Sequence, residues 1–61
     1  MTTSIYEAIS DWLWQNELAI LELPNGGFVQ YVSGWLLVYD ADGNWQAECA
    51  LTSENVKKLL K

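Results

Sequence analysis

The sequence has no histidine and no arginine, and its 61 residues include one cysteine, Cys49, and one proline, Pro24. Each absence removes a class of chemistry. A lone cysteine cannot close an internal disulfide, and without histidine or a cysteine pair there is no ligand set for a structural zinc. Acid–base work loses its usual residue, and Ser-His or Cys-His nucleophile pairs cannot be built. There is no Gly-rich phosphate loop and no guanidinium to clamp an anion. The chain therefore reads as a non-enzymatic protein with no cofactor.

Cationic side chains are almost as scarce. Lys57, Lys58 and Lys61 are the only ones, so Met1 to Val56 carries eight carboxylates and no base, and the net charge is −5. Phosphate contacts need Lys and Arg, which argues against nucleic acid or an anionic membrane as a direct partner. A basic protein surface is favoured instead. Long apolar runs are also missing. No stretch approaches the ~20 residues of a membrane span, and MTTSIYEAISDWLW has neither the basic start nor the apolar run of a secretory signal. Together with the free thiol, this points to the cytoplasm.

Hydrophobic residues make up 51% of the chain, too many for a disordered one. The length suits one domain, residues 1–61, near the lower size limit for independent folding. Ser4 followed by Glu7 predicts a capped helix, with Thr3 as an alternative cap. Ile5, Ala8, Ile9, Trp12 and Leu13 then form the apolar stripe of a helix packed on a core. Trp14 falls nearly opposite, beside Glu7, Ser10 and Asp11, and Asn16 marks the helix end. Four short apolar runs follow: ELAILEL, FVQYV, WLLVYD and NWQAECAL. Asn25-Gly26, Ser33-Gly34 and Asp42-Gly43 between them are hairpin turn signals. Thr52 caps a closing helix with Val56, Leu59 and Leu60 on its apolar side. The order is α-β-β-β-β-α: a small two-layer α+β domain, an antiparallel meander with both terminal helices on one face.

Turn length fixes register, and register fixes which side chains share a face. A Ser33-Gly34 loop pairs Val32 with Trp35, Tyr31 with Leu36 and Val29 with Val38. An Asp42-Gly43 loop pairs Val38 with Ala47 and Leu36 with Cys49. One face is then Val29, Tyr31, Leu36, Val38, Trp45, Ala47, Cys49 and Leu51, nearly all apolar and placed under the helices. For the first strand, a two-residue Asn25-Gly26 loop would put Leu18, Ile20 and Glu22 inside. A three-residue loop ending at Gly26 puts Ala19, Leu21 and Leu23 inside and turns Glu22 out, which is the reading preferred here.

The opposite face collects Phe28, Gln30, Val32, Trp35, Leu37, Tyr39, Gln46, Glu48 and Ala50. Two short helices cannot cover both sides of a four-stranded sheet, so this side is expected to be open. Its aromatics could bury roughly 150–250 Å² each. That makes a patch at or above the roughly 300–600 Å² typical of the largest on a monomer. The expected partner-binding residues are Phe28, Gln30, Trp35, Leu37, Tyr39, Gln46 and Glu48, with the aromatics and Leu37 as anchors. Base stacking as in RNA-binding sheets is disfavoured, because such faces need basic neighbours and this one carries Glu48.

Two other features have plainer readings. DADGN sets Asp40, Asp42 and Asn44 at alternate positions, like the start of a calcium loop. Trp45 stands where that loop needs glycine, however, and Leu51 where it needs glutamate. A hairpin turn accounts for it. Cys49 alternates with core residues and has no base beside it, so it is a small hydrophobe. No motif is specific enough to name a family.

The function expected is therefore protein binding, by an inhibitor or accessory factor that docks on a basic partner such as a nucleic-acid-handling enzyme. Small phage and mobile-element inhibitors often work this way, by mimicking nucleic-acid charge. The alternative is a homodimer whose aromatic faces meet, which would leave the acidic and aromatic surface of Glu7, Asp11 and Trp14 for function.

Overall fold

The computed structural model describes residues 4–61; the alternative cap Thr3 lies outside them. Ser4 has extended backbone (φ −67°, ψ 154°), and its Oγ accepts from the Glu7 N–H at 3.2 Å, starting α1 (Ile5–Trp14). The helix closes over Gln15, whose N–H is shared between the Asp11 and Trp12 carbonyls, and the Asn16 side chain also donates to the Trp12 carbonyl. Leu18 then reverses the chain with a left-handed φ of 68°, at a cost of about 1 kcal/mol for a side chain of this kind. Strands β1 (Ile20–Glu22), β2 (Phe28–Val32), β3 (Trp35–Tyr39) and β4 (Trp45–Ala50) follow, then α2 (Ser53–Leu60). Thr52 caps α2, its hydroxyl accepting from the Asn55 N–H at 3.1 Å.

The sheet is an antiparallel meander in the order β1-β2-β3-β4. Leu21 opposes Val29, so the first hairpin has the three-residue loop Pro24-Asn25-Gly26, and Leu23 N–H donates to the Gly27 carbonyl. Val29 opposes Val38, Tyr31 opposes Leu36, and Val32 opposes Trp35. Ser33 (φ 47°) and Gly34 (φ 90°) are both left-handed, as a two-residue turn between twisted strands requires.

The third turn differs from the sequence expectation. Its loop is three residues, Ala41-Asp42-Gly43, closed by Asp40 N–H to the Asn44 carbonyl and Gly43 N–H to the Asp40 carbonyl. Tyr39 opposes Trp45, while Val38 still opposes Ala47, so Gln46 is an extra residue in a β-bulge. The bulge restores the expected register for the rest of β4 but moves Trp45. Instead of lying in the core it shares the side of Tyr39 and is 56% exposed. Ala47, also expected inside, is exposed at this end of the edge strand.

Leu13, Leu23, Val29, Tyr31, Leu36 and Val56 form the core, with Tyr6, Ile9, Ala19, Leu21, Val38, Cys49, Leu51, Leu59 and Leu60 packed against it. Both helices thus lie on the Val29–Leu36 face, and α1 also packs on α2. The thinnest dimension is 15 Å, enough for two layers about 10 Å apart and too little for a third. The stripe of α1 is rotated from the expected one. Tyr6, Ile9 and Leu13 turn inward, whereas Ile5 and Trp12 are exposed, as is Ala8. Tyr6 is half-buried against the core cluster, whereas Trp12 keeps about half its surface in water. Among the described residues, no helix is long and apolar enough to cross a membrane.

Candidate functional site: the uncovered face of the sheet

Pairing across the four strands orders the second face into rows. Glu22, Phe28, Tyr39 and Trp45 form one, each directly opposite the next. Ile20, Gln30, Leu37 and Glu48 form the second, and Val32, Trp35 and Ala50 the third. No residue in these rows is buried. Phe28, Val32, Leu37 and Tyr39 are half-buried, while Ile20, Trp35 and Trp45 are exposed. Among the described residues no element lies over them, because α1 and α2 both occupy the opposite side.

Aromatic stacking orders part of this face. Phe28 and Tyr39 stack with ring centroids 5.0 Å apart and planes 16° from parallel. Directly opposed aromatics are a stabilising cross-strand pair, and here they form the centre of the first row. Beside them, Ile20, Glu22, Leu23, Gly26, Gly27 and Phe28 line a shallow hollow of about 350 Å³ at the β1–β2 turn.

The β3–β4 turn, at the same end of the sheet as the hollow, is organised by Asp40. Its Oδ1 accepts from the N–H groups of Asp42 and Asn44, both at 2.9 Å, and its Oδ2 accepts from the Gln46 side-chain amide at 2.9 Å. The Asn44 N–H leads in holding this carboxyl below its ordinary value of 3.8; what burial there is opposes it, and Asp42, the Asn44 side chain and Gln46 add to it. The DADGN stretch is thus a turn whose carboxylate already has its ligands. Among the described residues no three histidine, cysteine or acidic side chains are placed to hold a metal ion.

The seven expected binding residues are all found on or beside this surface, but not all are free. Phe28, Trp35, Leu37, Tyr39 and Glu48 stand in the rows. Gln30 does too, with its amide turned toward the Leu18 carbonyl at 3.4 Å. Gln46 is the bulge residue and is held by Asp40, so it braces the turn. Sequence reasoning missed Trp45 as a member of the face. The signal was available in Asp40, whose short side chain favours a turn that its own carboxylate can close. Ile20 and Glu22 join the face through the three-residue first loop.

The second acidic and aromatic surface, Glu7, Asp11 and Trp14, lies exposed on α1. Trp14 is less isolated than its helical angle implied, since its ring lies 6.4 Å from that of the buried Tyr31, tilted by 48°. Cys49 is half-buried against the core, and burial pushes its thiol above the ordinary value of 9.0, partly offset by Lys58. A raised thiol is a poorer nucleophile at neutral pH. No family model, curated protein or solved structure matches the chain.

Proposed function

We propose that the chain is a non-enzymatic protein-binding protein, an inhibitor or accessory factor that docks through the uncovered sheet face onto a basic partner protein. One observation carries the reading: the sheet presents Phe28, Trp35, Leu37, Tyr39 and Trp45 on a side that neither helix covers. Leaving this much apolar surface in water is costly for so small a domain, at about 25 cal/mol per Å². A partner recovers that free energy on binding, and Trp and Tyr are the side chains that most often dominate such contacts. The acidic balance would steer the chain to a positively charged surface and speed the encounter. A nucleic-acid-handling enzyme has such a surface, and a compact acidic protein can occupy the groove meant for phosphates.

The test is site-specific photo-crosslinking in the native cell, with the crosslinker at Leu37 on the face or at Lys57 on α2. Capture from Leu37 alone is expected. The purified partner should then bind Trp35→Ala at least 30-fold more weakly, about 2 kcal/mol, with an unchanged circular dichroism spectrum. Capture from α2 alone, or full affinity in Trp35→Ala, would refute the proposal.

A further inference from the structure

We propose that the occupant of the uncovered face is an arginine-bearing segment of a foreign protein rather than a second copy of this chain. This rests on reading that face as a docking surface, and goes further by naming the chemistry it receives. Only two carboxylates stand in its rows: Glu22 beside the hollow and Glu48 next to Leu37. Elsewhere the carboxylates of Glu17 and Asp40 are occupied by backbone N–H groups of Ser33, Asp42 and Asn44. Glu22 and Glu48 have no such partner among the described residues.

All three lysines lie on or just past α2, in the other layer. Two copies packed face to face would bury four carboxylates and no cation, which nothing in the interface would compensate. A guanidinium resolves both halves of the problem. Its plane stacks on exposed aromatic faces such as Trp35 and Trp45, and its fork pairs with a carboxylate. The hollow beside Glu22 is walled by Ile20 and Phe28, apolar enough to take the aliphatic stem of the same side chain. With strands about 4.8 Å apart and a rise of about 3.4 Å per residue, Glu22 and Glu48 are about 16 Å apart, within the span of one extended segment.

Octa-arginine and octa-lysine peptides are the probes, titrated against the full chain by calorimetry with NMR of the indole N–H groups. Octa-arginine should bind several-fold more tightly than octa-lysine and shift the Trp35 and Trp45 signals. The double variant Glu22→Gln/Glu48→Gln should weaken it at least tenfold. Glu7→Gln/Glu54→Gln, with the same net charge but both changes on helices, should weaken it less than threefold. Equal weakening by both doubles, or shifts confined to the helices, would overturn the proposal by reducing it to net charge. A wild-type dimer with both indoles protected would overturn it together with the foreign-docking reading. An open monomer without arginine preference would sink only the arginine inference.

Discussion

The two sides of this sheet are built from the same four strands and from side chains of similar hydrophobicity, yet they end in opposite conditions. On one side Val29 and Leu36 are fully buried and Tyr31 nearly so. On the other, Phe28, Leu37 and Tyr39 are only half-buried, Phe28 and Tyr39 stacking on each other, and Trp35 keeps half its surface in water. Apolar character alone does not decide burial; the supply of covering elements does. Two helices of ten and eight residues cover one face, and among the described residues no third layer exists for the other.

Neighbouring leucines on β3 give the sharpest way to break this comparison. Leu36→Ala opens a cavity under both helices and should cost about 2–5 kcal/mol, enough to unfold much of so small a domain. Leu37→Ala removes the same atoms from the uncovered side and should cost less than about 1 kcal/mol. Urea denaturation of both variants measures the difference. Similar losses would mean that the second face is packed after all.

A smaller effect is expected at the turn that shapes the exposed end of β4. Asp40 has its carboxyl lowered in the folded chain, so its contribution is complete above the ordinary value of 3.8 and is lost as pH falls through the lower folded value. Asp40→Ala should therefore lower the thermal midpoint at pH 6, and the gap from wild type should narrow as the pH falls from 6 toward 2. A gap that stays constant across that range would show that the turn does not depend on the ionised carboxylate.

Most of the architecture was legible because it rests on local signals. The Ser33-Gly34 turn set the β2–β3 register, and the awkwardness of an inward Glu22 selected the longer first loop. Ser4 and Thr52 marked both helix starts. The rest depended on contacts that sequence does not display. Asp42-Gly43 looks like a two-residue turn, which would put Trp45 inside, whereas the Asp40 carboxylate closes a three-residue one and Gln46 bulges to compensate. On α1 the apolar spacing points to Ile5 and Trp12, which outrank Tyr6 in hydrophobicity, yet both are exposed. In the structure Tyr6, with Ile9 and Leu13, faces the core cluster instead, and α1 also packs on α2. Of the face itself, the positions of Phe28, Trp35, Leu37 and Tyr39 follow directly from the β2–β3 register.

The central claim is that the aromatic face stays open until a foreign protein covers it, and mass by light scattering over a concentration series tests it most directly. Wild type and Trp35→Ala should both remain at the monomer mass of 6.9 kDa across the series. A wild-type mass rising to twice that value, and falling back in Trp35→Ala, would contradict the account. The face would then close against its own copy, and the binding surface would have to be sought on the helices.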